Sequence, residues 1–313
     1  MNIPIKILYV CGCGRSGSTL LDVVLGNHPA FFSAGELAFI FKMMAEDQPI
    51  LCSCGRKYIG CPFWSRIVSD LLGGDGEWTI DRLDRLTRKY ENILGFGKPS
   101  TDYLRMWSDL LKRLAEESGA EVIVDSSKTM RNTSRRPMLL EQAGVKLFII
   151  HLLKDPRALM WSRSNRRIVE TKSHRVFGGA FRALLSWIFF NVMVELLKWR
   201  TKAPYLRIRY EDFVADPKHE LMRIGEFVGI DMTFLIAAVE KGEDFEVGHG
   251  IAGNRMRRCG AVQIKEDDEW RRKMPFFMSA LSIIALPLMA RYGYTQRRKT
   301  GAGHIKEYER EHL

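Results

Sequence analysis

The stretch Ile7-Leu8-Tyr9-Val10-Cys11-Gly12-Cys13-Gly14-Arg15-Ser16-Gly17-Ser18-Thr19-Leu20-Leu21 decides how this chain is built. An apolar, strand-like run stops at a glycine-rich turn and resumes as a helical pattern. Strand, glycine turn and helix together aim successive backbone N–H groups and a helix N-terminus at an anion. Gly12 and Gly17 have the Gly-x4-Gly spacing of a Walker A loop, but Ser18 stands where that motif requires lysine. Without the lysine that reaches the β- and γ-phosphates, a P-loop kinase or NTPase is only the alternative reading. Arg15 supplies a cation from within the loop instead. The bland reading is a turn that merely lets helix and strand pack closely.

Outward from this point, short strand-like runs alternate with longer helical patterns. Strands are expected at Ile5–Cys11, Glu121–Asp125, Val145–Leu152 and Tyr205–Tyr210. Helices are expected at Ser18–Gly26, Asp81–Leu94, Asp102–Glu117, Asn132–Ala143, Pro156–Arg167, Gly179–Thr201 and Pro217–Val228. The alternation predicts an α/β fold with a central parallel sheet flanked by helices on both faces. Ligands of such sheets sit at the carboxyl ends of the strands. Glycine-rich stretches at Gly73–Gly76 and Phe96–Pro99 flank a helical insert, read as a substrate-side elaboration at about residues 65–120 of a single domain spanning 1–313.

The chain has 313 residues, is 46% hydrophobic and 27% charged, and carries a formal net charge of +11, which excludes a disordered or fibrous class. The positive excess points to anionic partners: nucleic acid, a membrane surface or a phosphorylated small molecule. No nucleic-acid-binding motif supports the first. The N-terminus lacks the features of a signal peptide, which predicts a cytoplasmic protein, with peripheral membrane contact left open. Met274–Ala290 is apolar but short for a bilayer and broken by Pro275 and Pro287, so a buried core helix is expected there. Arg182, Asn191, Glu195 and Lys198 punctuate Phe181–Trp199, which reads as an amphipathic helix.

Gly14-Arg15-Ser16-Gly17-Ser18-Thr19-Leu20-Leu21, with Asn27-His28-Pro29 after the helix, resembles the 5′-phosphosulfate loop of sulfotransferases that use 3′-phosphoadenosine-5′-phosphosulfate (PAPS). It is most similar to the branch of carbohydrate and tyrosylprotein enzymes and many bacterial members. The resemblance implies a P-loop-type three-layer fold, PAPS as donor and a hydroxyl-bearing acceptor such as a glycan, a lipid or a small metabolite. It also implies that Gly14, Arg15, Ser16, Gly17, Ser18 and Thr19 bind the donor. Leu153-Lys154-Asp155-Pro156-Arg157 through Ser162 is similar to the family's 3′-phosphate motif, with Lys154 and Ser162 as the binding pair. Lysine there keeps the charge of the usual arginine but not its bidentate fork. His249–Arg258 resembles the late basic loop that closes over the nucleotide, and Arg257 and Arg258 are its candidate phosphate ligands. Tyr210–Phe213, Glu269–Arg271 and Tyr292–Tyr294 are similar to structural landmarks of the family.

Sulfuryl transfer needs a base for the attacking hydroxyl and cations for the transferring oxygens. Gly35-Glu36-Leu37 follows a short strand-like piece, and its position resembles that of the catalytic glutamate of the tyrosylprotein branch, so Glu36 is the expected general base. Its plain alternative is a carboxylate at a helix start. His28 is the second choice. Val124-Asp125-Ser126-Ser127-Lys128 ends another strand, and Lys128 resembles the lysine that stabilises the sulfuryl oxygens, with Arg15 assisting.

Cys52-x-Cys54-x6-Cys61 supplies three thiols, one short of a structural zinc site, and no histidine close in sequence completes it. A disulfide, a zinc site with a borrowed ligand and plain buried thiols all stay open. The expected chemistry calls for no catalytic metal.

Overall fold

The computed structural model describes residues 5–45, 51–73, 78–95, 97–129, 131–170 and 174–295, with the side chains of 165–176 left out. The insert's first glycine stretch, Gly73–Gly76, therefore lies largely outside the described residues. The contacts of the chain fall into two units, residues 1–154 with 189–268 and residues 155–188 with 269–313. Each is described by itself.

The first unit holds five parallel strands: β1 (Lys6–Cys11), β2 (Phe31–Gly35), β3 (Val122–Asp125), β4 (Lys146–Leu153) and β5 (Tyr205–Arg209). Their order is β2-β3-β1-β4-β5, with β1 paired in register to β3 and β4. Alternate residues of β1 leave the pleat on opposite sides. Ile7, Tyr9 and Cys11 join one apolar layer with Trp64, Trp107, Leu110, Leu111 and Leu114, while Leu8 and Val10 join another with Leu21, Val24, Phe213 and Ile224. Sheet and two helical layers make the expected three-layer α/β fold.

Expected and observed boundaries of β1, β3, β4 and β5 agree within one residue. The fifth strand, β2, comes from the short Phe31–Ala34 piece. The helix Thr101–Ser118, in the expected insert, buries Tyr103, Met106, Trp107, Leu110, Leu111 and Leu114 at the i, i+3, i+4, i+7 spacing of a core-facing stripe. It supplies part of one flanking layer of the sheet.

The long helix His174–Arg200 begins in the second unit and ends in the first. From Phe177 to Arg200 it is long and apolar enough to cross a membrane by length and composition. One side buries Ala180, Leu184, Trp187, Asn191 and Val194, and the other exposes Phe181, Leu185, Phe189, Val192, Leu196 and Trp199. Its polar residues do not form the broad polar face expected of an ordinary amphipathic helix.

In the second unit, Asp155 caps the helix Pro156–Glu170 by accepting from the Arg157 N–H at 2.8 Å. The Arg157 guanidinium also holds the Asp155 carboxylate, lies over Trp270 and donates to the Tyr294 carbonyl. This ties together two of the expected landmarks, Glu269–Arg271 and Tyr292–Tyr294. Met274–Ala290 is not the buried core helix expected. Pro275 and Pro287 divide it into short turns that bury Met278, Ala285 and Met289 but expose Phe276, Ile283, Ile284 and Leu286.

His151 on β4 is fully buried, with Nδ1 against the Tyr205 hydroxyl at 2.6 Å and Nε2 against Asn191 Oδ1 at 2.8 Å. Burial pushes its imidazole down from 6.5 to about 4. The unfolded chain thus takes up a proton that the folded chain refuses between those values. The contribution to stability is full above about pH 6.5 and is lost as the pH falls toward about 4. At about 1.4 kcal/mol per unit, the loss is at most about 3 kcal/mol. Denaturant unfolding from neutral to mildly acid pH should show this acid slope, and His151→Gln, which cannot titrate, should flatten it.

Candidate functional site

The carboxyl ends of β1, β2 and β3 meet at one edge of the sheet, and the residues expected to carry chemistry follow them. After β1, the glycine turn leads into α1 (Ser18–Leu25), whose N-cap is Gly17 with φ 94° and whose first-turn N–H groups receive no side-chain cap. A Cβ on Gly17 would run into the ring of Tyr210, so glycine is required for both conformation and space. Ser16 is buried with its hydroxyl unpartnered, and Arg15 is exposed at the tip of the loop. Thr19 Oγ1 accepts from the Asn254 N–H at 3.4 Å, linking the helix start to the late loop.

Glu36 follows β2 and Lys128 follows β3. Their side chains are in direct contact as an ion pair, and both are largely buried. The carboxylate and the ammonium expected at this edge thus lie against each other. Lys128 has a left-handed backbone, φ 67°, which is strained for a residue with a side chain. Two hydroxyls hold its carbonyl there: Tyr9 donates at 2.7 Å and Thr133 at 2.7 Å. Ser127 accepts from the Ala38 N–H at 3.0 Å and donates to Asp125 Oδ1, so the Lys128 turn and the turn after Glu36 are fastened to each other.

Beneath Lys128 lies a fully buried cation. Arg136 donates to Asp125 Oδ2 at 2.8 Å and to Glu91 Oε1 at 2.6 Å, and its guanidinium sits 3.8 Å over the Trp107 ring. Tyr103 donates to the same Glu91 oxygen at 2.8 Å. Burial raises the Glu91 carboxyl to about 7 despite the opposing pull of Arg136, while the two carboxylates hold the guanidinium firmly charged.

The late loop closes one side. Ile251 forms a parallel bridge with Gly35, donating to the Ala34 carbonyl at 2.9 Å and accepting from the Glu36 N–H at 2.8 Å. Gly35 has φ 74°, and a Cβ there would overlap the Ile251 backbone. Of the two arginines expected to meet phosphate, Arg257 points inward. It is buried, paired directly with Asp22 on α1, and 3.2 Å from Ser33 Oγ. Burial lowers its guanidinium to about 10. Arg258 is exposed. An open cleft of about 310 Å³ lies between these walls, lined by Glu36, Phe39, Lys42, Leu51, Asn254 and Arg258 among others.

Lys154, at the end of the first unit, donates to Asp267 at 3.1 Å and lies 4.2 Å over the Tyr210 ring. Ser162 is half-buried on a helix of the second unit. His28, the second-choice base, spends its ring on the Ala30 N–H and the Asp231 carbonyl at the far end of α1, away from Glu36's strand end. The three thiols acquire a companion from far along the chain: Cys52, Cys54, Cys61 and His249 place their ligand atoms within 4.8 Å of one another.

Sequence reasoning missed Tyr9, Asp22, Thr133, Arg136 and His249. Only Asp22 left a readable signal, a lone carboxylate inside the apolar run Leu20–Leu25.

The sulfotransferase family model matches residues 8–52, which contain the glycine turn, α1, β2 and Glu36. Over these residues the chain is similar to the sulfotransferase family. Carbohydrate sulfotransferase 4 of Mus musculus is 27% identical over 176 residues, which cover 51% of this chain and 45% of that protein. The chain therefore spans less than half of that relative's length. Carbohydrate sulfotransferase 6 of Homo sapiens is 20% identical over 305 residues, covering 86% of this chain and 75% of that one. The sulfotransferase domain from the curacin biosynthetic pathway shares the fold, with a TM-score of 0.52 and 17% identity over 91% of this chain and 98% of that domain.

The two arginines of the late loop should separate in a stability measurement. Arg257→Ala leaves Asp22 buried without its cation and should cost about 3–5 kcal/mol in urea unfolding. Arg258→Ala should stay within about 0.5 kcal/mol of wild type.

Proposed function

We propose that the chain transfers a sulfuryl group from PAPS to an acceptor hydroxyl by in-line displacement. The observation that carries this reading is the Glu36–Lys128 pair, set at the strand ends that also present the uncapped start of α1. The donor fits the residues present. The unpartnered Ser16 hydroxyl, the Gly17 cradle and the exposed Arg15 supply a donor-rich, cationic pocket for a phosphosulfate. Gly14, Ser18 and Thr19 complete that loop. Within the first unit, Lys154 and Arg258 are assigned to the 3′-phosphate, while Arg257 orders the loop through Asp22.

When bound, the nucleotide supplies the sulfuryl group and an anionic leaving phosphate. Glu36 lines the cleft and takes the acceptor proton as the hydroxyl attacks. Lys128 and Arg15 offset negative charge on the transferring oxygens. Before substrate arrives, Lys128 and Glu36 neutralise each other. An acceptor that enters the cleft separates the pair and so frees both groups for their roles. Phe39, Met43 and Leu51 give the cleft apolar surface beside the cations Lys42 and Arg258. This mixture suits an acceptor with an apolar body, and leaves glycan, lipid and small metabolite admissible. The exposed apolar stripe ending at Lys198-Trp199-Arg200 supports peripheral membrane contact of a cytoplasmic protein. A phosphotransferase is disfavoured by Ser18, which occupies the lysine position of such loops.

Two measurements test the reading. At 100-fold excess over its dissociation constant, 3′-phosphoadenosine-5′-phosphate should stabilise the fold by about 2.7 kcal/mol, with ATP giving much less. With PAPS and an extract of the native cell, mass spectrometry should find an acceptor that gains a sulfuryl group. Glu36→Gln should lower that turnover by about 10²–10⁴-fold while leaving nucleotide affinity near wild type. Unchanged turnover would remove Glu36 from its role, and a preference for ATP would overturn the donor.

A further inference from the structure

We infer that Cys52, Cys54, Cys61 and His249 form a structural zinc site that clamps the late basic loop to the wall of the cleft. Cys61 Sγ lies 3.7 Å from both Cys52 Sγ and Cys54 Sγ, and His249 Nδ1 lies 3.4 Å from Cys61 Sγ and 3.8 Å from Cys52 Sγ. With Zn–S near 2.3 Å and Zn–N near 2.0–2.1 Å, a tetrahedral Cys3His site has S···S edges of about 3.8 Å and N···S edges of about 3.5 Å. Four of the six edges thus already match a zinc tetrahedron, and all four ligand atoms lie within 4.8 Å of one another. A disulfide would use two sulfurs and leave the third thiol and the imidazole without a role, and Cys61 stands equally near both possible partners.

The backbone is shaped to present these ligands. Cys52 and Cys54 sit on a tight hairpin in which Leu51 bridges Lys57, the Cys52 N–H donates to the Arg56 carbonyl at 2.8 Å, and Gly55 turns with φ 83°. Cys61 is the N-cap of the helix Pro62–Leu72, which fixes its backbone at the helix start. Phe63 stacks on the His249 ring at 5.1 Å and 9°, and Trp64 Nε1 donates to the His249 carbonyl, so the ring is oriented by neighbours that are not themselves ligands. Three thiolates and an imidazole are soft and borderline donors, a set that selects zinc over magnesium or calcium. All four positions are taken by protein, the closed arrangement of a structural and not a catalytic site.

The consequence is positional. Ligands 52–61 and ligand 249 are about 190 residues apart, and the segments that carry them line the same cleft through Leu51 and Ser53 on one side and Ala252, Gly253, Asn254 and Arg258 on the other. Ser53 donates to the Gly250 carbonyl at 3.1 Å, and the Ala252 N–H donates to the Tyr58 hydroxyl at 2.8 Å. Metal at this point fixes where the loop that holds Arg257 and Arg258 begins. The inference stands on ligand geometry and does not depend on the reaction proposed above.

Metal analysis of the full chain, purified without chelator or metal-affinity resin, should give one zinc per chain. Cys61→Ser and His249→Ala should bring zinc to background, His249→Cys should restore it, and Cys259→Ser, which removes an exposed thiol outside the cluster, should leave it unchanged. Where a cysteine variant fails to fold, wild-type protein stripped of metal should be titrated with cobalt(II) alone. One equivalent should produce the intense visible bands of a tetrahedral thiolate site, and zinc should bleach them. Amide exchange across residues 248–258 should quicken on the order of tenfold on stripping. A zinc-free chain that shows no cobalt–thiolate bands, or a Cys61→Ser variant with full zinc, would overturn the site.

Discussion

The buried contact between Arg257 and Asp22 holds the working edge of this molecule together. Asp22 sits on α1 among apolar neighbours, and it accepts at once from the Arg257 guanidinium and, at 2.8 Å, from the Ser126 hydroxyl after β3. Arg257 also donates to Ser33 on β2. One ion pair thereby joins the helix that follows the anion loop, two strand ends and the late loop. Neither charge can be removed alone without leaving the other in a low-dielectric interior. The anion loop, Glu36 and Lys128 all hang from elements that this pair connects.

A second buried cation works in parallel. Arg136 has no solvent access and is balanced by two carboxylates and an aromatic face. Replacing such a cluster by apolar residues could leave stability unchanged, so its value lies in geometry more than in free energy. It orients Asp125, which orients Ser127, which holds the turn beyond Glu36. Polar groups in a core have few alternative arrangements that satisfy all of them, and that selectivity keeps the Glu36–Lys128 contact in place.

How much of this was legible in the sequence follows from the range of each signal. β1, β3, β4 and β5 were readable because buried parallel strands are continuous apolar runs, and the glycine turn was readable because a phosphate-type loop needs specific residues at short spacing. Glu36 and Lys128 were found through resemblance, each from its own strand end, but nothing in one dimension says that they touch. Arg257 illustrates what chain order hides: the late loop resembles a phosphate-binding loop, whereas the carboxylate that Arg257 meets lies 235 residues away. His249 escaped for the same reason. Three thiols within ten residues advertise themselves, and a fourth ligand from a distant loop does not. Met274–Ala290 was misread because apolar composition reports a wish to be buried, while two prolines decided how much of it could be.

Among the described residues, only Arg15, Lys128 and Ala252 combine a side chain with a left-handed backbone, and all three lie at this one edge. Glycine would relieve the backbone at each of them. An engineering campaign that ranked variants by melting temperature alone would therefore drift toward glycine at position 15, where the side chain is exposed, and erase that cation while reporting improvement; at position 128 the ion pair with Glu36 opposes the same drift.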